Sequence, residues 1–377
     1  MNPLEEAYPR LAENLHRLPL AVLPTPVDAM PHLAGAVGAA RVYVKRDDHS
    51  AAAYGGNKVR KLEYLLGDAQ ARGARTVITF GAAGSNHALA TAIYARAAGM
   101  RCISLLIPQP NARYVQKNLL RSRAAGATLV YKGSIPGVAA SALRRYAAEA
   151  LRRNRPYLIM PGGTSPQGML GFVAAAFELR AQVAAGLLPM PHRLYVASGT
   201  MGTAAGLALG LAAAQMPTHV MAVRVTDAMF TSLEKARRLF RRANRLLCKA
   251  DPDFPVVPFP TDRFTFRHEF FGEEYARFTK EGMAAVRLAR DTEDLVIEGT
   301  YTGKTLAALV ADARAGDLSD VPTLFWNTYN SQPIMFDDNL GSYHELPRAL
   351  HHYFEEPVQP LDDPDAGGAP RHFVSCP

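Results

Sequence analysis

The chain has 377 residues, of which 48% are hydrophobic and 20% are charged. These proportions are typical of a folded enzyme and exclude a disordered chain, and the length allows two packed domains or one large α/β unit. Lys and Arg number 42 against 34 Asp and Glu. This small positive excess fits a protein that binds acidic small molecules at least as well as one that binds nucleic acid.

Short aliphatic runs alternate with longer amphipathic stretches along the chain. The runs predict strands at 41–45, 76–80, 101–107, 128–131, 157–160, 194–197, 220–225 and 323–326. The stretches predict helices at 57–72, 86–99, 112–126, 138–153, 167–185, 202–215, 228–249 and 304–315. Gly73, Gly99 and Gly126 lie where helix ends are expected. Alternating strands and helices are typical of parallel βαβ units, so the predicted fold class is α/β.

Two segments interrupt this alternation. Residues 251–264 contain four prolines and predict an extended connection over the surface. The residues after 357 are rich in Pro, Asp and Gly and predict a flexible tail over 357–377.

The cysteines and the apolar runs indicate the cellular setting. Cys102, Cys248 and Cys376 are too few for a disulfide framework and are not at metal-ligand spacing, so we expect a reducing compartment and no metal. Residues 1–20 lack the apolar run of a signal peptide, and the run at 204–216 is too short to span a bilayer. The sequence therefore predicts a cytoplasmic protein without a membrane partner.

The first motif that could carry chemistry is Gly55-Gly56-Asn57-Lys58, at the start of a predicted helix. The glycines let a bulky ligand approach the backbone, and the helix dipole favours the neutral, nucleophilic form of the lysine. This combination suits covalent attachment to an aldehyde. A flexible turn before a solvated basic helix explains the motif better when it is taken alone.

Two strand-to-helix loops are candidate anion sites. In 81–87, backbone N–H groups, Ser85 and Asn86 would hold a carboxylate, while His87 faces that site or packs in the first turn. In 198–203, small and hydroxylated residues would hold a phosphate monoester, because the spacing fits neither a nucleoside-triphosphate loop nor a dinucleotide loop. An ordinary helix cap and a plain glycine-rich turn are the alternatives.

A fourth motif, Tyr301-Thr302-Gly303-Lys304, opens another predicted helix. Its tyrosine and threonine could hydrogen-bond a ligand ring or take part in proton transfer. Helix capping and core packing are the alternative for both residues.

Taken in order, these motifs resemble the pyridoxal-phosphate enzymes of the tryptophan-synthase-β-like fold, and within them the branch of 1-aminocyclopropane-1-carboxylate deaminase and D-cysteine desulfhydrase. The likeness covers about 23–333 and rests on GGNKVRKLE at 55–63, SNH at 85–87, PGG at 161–163, SGT at 198–200 and YTGK at 301–304. It implies two domains, each with a mainly parallel twisted sheet flanked by helices. The large domain, which binds pyridoxal phosphate, would comprise 1–55 and 168–356, and a small α/β domain would comprise 56–167.

The resemblance also implies roles for single residues. Lys58 would hold the cofactor covalently and later move protons, Asn86 would bind the cofactor's ring oxygen, and Ser85 would meet the substrate carboxylate. Further cofactor contacts would be Thr200, Met201, Gly202, Thr203 and Thr302. Ser85 would also take part in proton transfer, and the remaining catalytic residues would be Tyr301 and Tyr275. The other substrate contacts would be Asn86, His87, Gly163, Thr328 and Tyr329.

Thr302 bears on the choice of reaction. In this branch the residue after the tyrosine faces the cofactor's pyridine nitrogen, and the cyclopropane deaminases have Glu there. A neutral hydroxyl leaves the nitrogen largely unprotonated, which favours β-elimination over ring opening. The resemblance therefore implies a lyase of the D-cysteine desulfhydrase type, acting as a homodimer on a small amino acid to give a 2-oxo acid, ammonia and a thiol or sulfide.

One departure leaves the substrate open. Where the branch has His-Thr-Gly-Gly, this chain has Asn-Thr-Tyr-Asn at 327–330. The alternatives are a 1-aminocyclopropane-1-carboxylate deaminase, a racemase, a β-replacement synthase, and a cofactor-binding regulatory protein without turnover. The basic stretch 235–249 predicts a solvated helix face over an apolar stripe, so nucleic acid is not an expected partner.

Overall fold

The computed structural model describes residues 2–334 and 340–362 and confirms the α/β class. The strands of this described part are β1 (Val27–Ala29), β2 (Arg41–Arg46), β3 (Thr76–Ala82), β4 (Arg101–Ile107), β5 (Thr128–Tyr131), β6 (Tyr157–Ile159), β7 (Arg193–Ser198), β8 (His219–Arg224), β9 (Phe264–Arg267) and β10 (Pro322–Asn327). They form a six-stranded sheet in the order β1-β2-β10-β7-β8-β9 and a four-stranded sheet in the order β5-β4-β3-β6. The β1–β2 pair is antiparallel and the other pairs are parallel.

The helices lie between and around these strands. In the same described ranges they are α1 (Pro3–Ala7), α2 (Arg10–Asn14), α3 (Pro31–Val37), α4 (Asn57–Ala71), α5 (Asn86–Ala97), α6 (Arg113–Ala124), α7 (Ile135–Leu151), α8 (Pro166–Ala184), α9 (Gly202–Ala213), α10 (Leu233–Ala250), α11 (Lys280–Glu293), α12 (Thr302–Arg314) and α13 (His352–Glu355). No helix of the described part combines the length and the apolar character needed to cross a bilayer. All eight predicted strands and all eight predicted helices are present, with ends that differ by a few residues.

The two sheets come from different parts of the chain. The four-stranded sheet uses only residues between 76 and 159, which lie inside the predicted small domain. The six-stranded sheet combines strands from 27–46 with strands from 193–327. The chain therefore enters the larger sheet, leaves it to form the smaller one, and returns. The predicted boundaries at 55/56 and 167/168 stay a prediction.

A buried ionic network ties the start of α4 to the larger sheet. Arg60 lies 2.8 Å from Asp47 and 2.9 Å from Glu178, and Lys45 Nζ lies 2.5 Å from Glu178 Oε1. Trp326 Nε1 donates to Asp47 Oδ2 at 2.7 Å. Burial raises the pKa of Glu178, but the two cations outweigh burial and bring the pKa to about 2. Because each charge has an opposite partner, the network holds α4 in place two residues beyond Lys58.

The first residues of the predicted tail differ from the expectation. Gln359 is buried, its Oε1 accepts from the backbone N–H of Phe278 at 2.7 Å, and its Nε2 donates to the carbonyl of Ala276 at 3.1 Å. Gln359 is thus held against the body of the protein. The remainder of the predicted tail, 363–377, lies outside the described residues.

Candidate active site

The predicted motifs meet in one cavity of about 350 Å³ between the two sheets. Each motif follows the carboxyl end of a parallel strand or begins a helix, and in parallel sheets those ends lie at one edge. The cavity is lined by most of the predicted site residues: Lys58, Ser85, Asn86, His87, Thr200, Met201, Gly202, Thr203, Tyr275, Tyr301, Thr328 and Tyr329.

Lys58 is the second residue of α4 and extends its amine into this cavity. Its Nζ donates to Asn57 Oδ1 at 2.8 Å and lies 5.9 Å from the centre of the Tyr301 ring. Burial lowers the pKa of Lys58 to about 8, although the negative charge of Glu298 opposes the change. A substantial fraction of the amine is therefore neutral, and so nucleophilic, near neutral pH.

The turn before α4 needs glycine. Gly56 has φ +90°, and a Cβ there would lie 2.9 Å from the carbonyl oxygen of Thr328. The same carbonyl accepts from the backbone N–H of Asn57 at 3.1 Å. The backbone of the 327–330 segment is therefore packed directly against the turn that places Lys58.

The loop at the start of α9 forms an anion site. Met201 is the N-cap residue and no side chain caps this helix, so the N–H groups of its first turn are left for a ligand, and Gly202 and Thr203 of that turn line the cavity. Lys61 lies on the same side: its Nζ donates to the Gly162 carbonyl at 3.0 Å, and a Cβ on Gly202 would lie 3.2 Å from that nitrogen. Burial, then the neighbouring Lys58, lowers the pKa of Lys61 well below its usual value. A bound phosphate would place a negative charge beside this amine and so favour its protonated form.

The start of α5 forms a second polar site. The Ser85 hydroxyl oxygen accepts from the backbone N–H of Ala88 at 3.2 Å. Asn86 Oδ1 accepts from Tyr54 at 3.2 Å and from Asn118 at 2.8 Å. Because its oxygen has two donors, the amide nitrogen of Asn86 is the group left to donate to a ligand.

His87 follows in the same turn and is buried, with 2% of its surface exposed. Neither ring nitrogen has a hydrogen-bond partner within the described residues. Burial lowers the pKa of His87 well below its usual value, and the charges of Lys58 and Lys61 lower it further. The imidazole is therefore neutral at physiological pH.

Tyrosines and one acid form the opposite wall. The hydroxyls of Tyr275 and Tyr301 lie 2.5 Å apart, and burial raises the pKa of Tyr275 to about 12. Glu298 Oε1 accepts from the backbone N–H groups of Tyr301 at 2.7 Å and Thr302 at 3.0 Å, and Oε2 accepts from Thr300 at 2.8 Å. This carboxylate therefore caps α12 while also lining the cavity.

Two predicted site residues lie outside the cavity lining. Thr302 is fully buried, and its hydroxyl accepts from the Glu298 N–H at 2.9 Å and donates to the Glu298 carbonyl at 3.2 Å. These hydrogen bonds join Thr302 to the segment before α12, and its predicted contact with the cofactor stays a prediction. Gly163 lies behind the imidazole of His87, since a Cβ there would be 3.0 Å from that ring.

Sequence reasoning assigned no role to four charged residues of the lining, namely Lys61, Asp227, Glu274 and Glu298. Lys61 could have been found, because it lies one helical turn after Lys58 and so on the same face of α4. Glu298 carried a weaker signal, namely an acid shortly before a predicted helix start.

The comparisons with known proteins agree with this geometry. The family model described as pyridoxal-phosphate dependent enzyme matches residues 18–328, and the chain belongs to this family. A D-cysteine desulfhydrase of Klebsiella pneumoniae (strain 342) is 33% identical over 333 residues, which are 86% of this chain and 97% of that protein. A protein of Pyrococcus horikoshii, named provisionally as a 1-aminocyclopropane-1-carboxylate deaminase, is 34% identical over 327 residues, or 83% of this chain and 92% of that protein.

Solved structures show the same fold. The crystal structure of a homologue of 1-aminocyclopropane-1-carboxylate deaminase has a TM-score of 0.72 at 32% identity and covers 88% of this chain and 97% of that chain. The processed threonine deaminase isoform 2 of Solanum lycopersicum has a TM-score of 0.58 at 16% identity and covers 87% of each chain. The chain is therefore a pyridoxal-phosphate-dependent enzyme with the fold that the sequence predicted.

The cavity fits this cofactor. Pyridoxal phosphate has an aldehyde, which reacts with a neutral amine, and a phosphate, which a helix N-terminus binds. The structure has the Lys58 amine and the start of α9 in one cavity, with Lys61 beside that helix. The amide nitrogen of Asn86 supplies a donor on the side of α5.

Proposed function

We propose that this enzyme is a lyase that removes a β-substituent from a small amino acid, as a D-cysteine desulfhydrase does. The products would be a 2-oxo acid, ammonia and a thiol or sulfide. The observation that carries the proposal is the Lys58 amine in one cavity with two separate helix N-termini, those of α9 and α5. One of them suits a phosphate and the other a carboxylate, so an amino acid and the cofactor can be held on either side of the amine.

Some residues of the chain bind the cofactor and the substrate, and Lys58 also moves a proton. Bound pyridoxal phosphate supplies an electron sink for the electron pair left at the substrate's Cα. Lys58 holds the cofactor and then takes the Cα proton, a task that its lowered pKa favours. The start of α9 and Lys61 hold the phosphate, Asn86 donates to the cofactor ring, and Ser85 with the start of α5 orients the substrate carboxylate.

The tyrosine pair serves the other face of the substrate. Burial keeps the hydroxyls of Tyr275 and Tyr301 protonated, and their 2.5 Å contact lets one hydroxyl stabilise the other when it gives up a proton. We assign to Tyr301 the delivery of a proton to the leaving group and to Tyr275 the support of Tyr301.

A second candidate is ring opening, as in 1-aminocyclopropane-1-carboxylate deaminase. The observation that favours it is Glu298, an acid that lines the cavity and accepts from the backbone N–H of Thr302. The sequence had indicated a neutral hydroxyl, that of Thr302, in place of an acid there. An acid facing the cofactor's ring nitrogen would strengthen the electron sink. Against it, the Glu298 carboxylate already accepts three backbone hydrogen bonds.

Product analysis separates the two candidates. The cofactor-loaded enzyme is incubated with D-cysteine, L-cysteine and 1-aminocyclopropane-1-carboxylate, and 2-oxo acids and ammonia are measured. Elimination from cysteine gives pyruvate, and ring opening gives 2-oxobutanoate. Pyruvate with sulfide release supports our proposal. Loss of optical activity without a 2-oxo acid would show a racemase instead and refute it. The Lys58→Ala variant is the control for reaction outside the site.

We further propose that the enzyme is a cytoplasmic homodimer. Within the residues that the structure describes, Cys102 and Cys248 form no disulfide, which suits a reducing compartment. The dimer rests on the resemblance described above. Light scattering on the eluting peak of a gel-filtration column should give twice the chain mass of 40.9 kDa.

A further inference from the structure

The cavity continues beyond the polar residues into an apolar chamber at the carboxyl edge of the smaller sheet. Its walls come from the ends of β3 and β4 and from the first turn of α7. We call this region the apolar chamber and define it by Phe80, Leu105, Ile107, Pro108, Ile135 and Val138. None of these residues has been assigned to the cofactor or to the substrate carboxylate above.

The chamber adjoins the reacting groups. Phe80 directly precedes Gly81, and a Cβ on Gly81 would lie 2.5 Å from the Ser85 hydroxyl oxygen. Ser85 and Lys58 line the same cavity as Phe80. A substituent on an amino acid bound in this cavity can therefore contact the apolar chamber.

The chamber offers little to a polar ligand. Gln109 also borders the cavity, but its Oε1 accepts from the Gly84 N–H at 2.9 Å and its Nε2 donates to the Tyr114 hydroxyl at 2.8 Å. Both ends of this amide are thus bound to the protein. What the chamber presents is apolar surface that is partly uncovered: Phe80 and Ile107 are half-buried, and Ile135 is 47% exposed.

Cysteine leaves this surface uncovered, because its side chain ends in a single sulfur. An uncovered apolar surface strengthens ligand binding only when an apolar group of the ligand covers it and so removes it from water. A hydrocarbon group attached to the sulfur would do so, and pocket contacts of this size discriminate substrates by roughly tenfold to a few hundredfold.

We propose that the substrate of this enzyme is a β-thio amino acid whose sulfur carries an alkyl or aryl group that occupies the apolar chamber. The inference rests on the proposed elimination and names its substrate class. The Cα–H bond and the Cβ–S bond break, the sulfur leaves with the bonding electron pair and gains a proton, and the resulting enamine is hydrolysed by one water. The balance is RS–CH₂–CH(NH₂)–COOH plus water giving pyruvic acid, ammonia and RSH, with no oxidant or reductant.

Kinetics on the cofactor-loaded enzyme tests the substrate class. We expect kcat/KM for S-benzylcysteine, in the enantiomer that reacts, to exceed that for cysteine by about tenfold or more. Ile135→Ser and Phe80→Ser should reduce this ratio several-fold and leave kcat/KM for cysteine within about twofold. Leu143→Ser is the matched control, because Leu143 is also an apolar residue of α7, is 72% exposed and does not line the cavity.

Binding provides a readout that needs no turnover. Calorimetry with the loaded enzyme should show 3-phenylpropanoate binding about tenfold or more tightly than propanoate, and Ile135→Ser should reduce that preference. Preference for cysteine, or a benzyl preference that neither chamber variant changes, would overturn the inference while leaving the elimination in place. Absence of 2-oxo acid from both substrates, with the cofactor's absorbance intact, would refute the proposed function itself.

Discussion

The attachment of pyridoxal phosphate to Lys58 should depend on pH in a way that the burial of this lysine determines. With a pKa of about 8 in place of the ordinary 10.5, about a tenth of the amine is neutral at pH 7, against about 0.03% for an ordinary lysine. The neutral amine is the reactive form. At pH 7 the buried lysine should therefore react about 300 times faster than an exposed one of equal intrinsic nucleophilicity.

The assay mixes cofactor-free enzyme with pyridoxal phosphate and follows the visible absorbance between pH 6 and pH 10.5. The rate should rise about tenfold per pH unit at first, reach half of its maximum near pH 8, and then level off. Borohydride reduction and peptide mass analysis should place the added mass on Lys58. Attachment at another lysine would refute the assignment.

The Glu298→Gln variant tests the cause of the shift. Glu298 raises the pKa of Lys58 against the larger effect of burial, so removal of its charge should move the midpoint to lower pH. A midpoint near pH 10 in the unaltered enzyme would contradict the argument from burial. An unchanged midpoint in the variant would show that the two side chains do not interact.

Three further predictions follow from contacts in and around the site. Lys61→Ala should raise the Kd for pyridoxal phosphate about tenfold or more in an absorbance titration, because the amine that lies beside the start of α9 and would donate to the phosphate is lost. Glu178→Ala should lower the free energy of unfolding in urea by about 3–5 kcal/mol, because it leaves the cations of Lys45 and Arg60 buried without one of their acids. Tyr275→Phe should lower kcat by about tenfold or more while the cofactor's absorbance is retained.

Each of these predictions has its own contrary outcome. For the lysine, an equal loss of affinity in Lys249→Ala, on the exposed face of α10, would point to general charge rather than a phosphate contact. For Glu178→Ala, the control is Arg238→Ala, which breaks an exposed ion pair with Glu234 and should change the free energy of unfolding by less than about 1 kcal/mol. A similar loss of stability in Glu178→Ala and Arg238→Ala would argue against burial as the cause. For the tyrosine, loss of the absorbance itself would mean that Tyr275 positions the cofactor.

The alternating strands and helices could be predicted because the signals for them lie in neighbouring residues. Gly73, Gly99 and Gly126 have φ between +69° and +84°, as expected at helix ends. β1 and β9 were missed because three and four residues carry too little pattern, and these strands exist through pairing with β2 and β8. α11 was missed as well, although its 14 residues are amphipathic, because no predicted strand stood next to it.

The sequence by itself determined the class of chemistry: a lysine after two glycines, hydroxylated loops after strands, and helix starts that hold anions. These signals depend on neighbouring residues and need no fold. Only the tertiary structure decided which groups share the cavity. Lys61 donates to a carbonyl 101 positions away, the Thr302 hydroxyl is hydrogen-bonded to Glu298, and apolar residues from two strands and a helix line the same cavity. Such contacts depend on how the ends of strands converge in the fold and on which backbone donors at a helix start need a partner. Neither can be predicted from a short stretch of sequence.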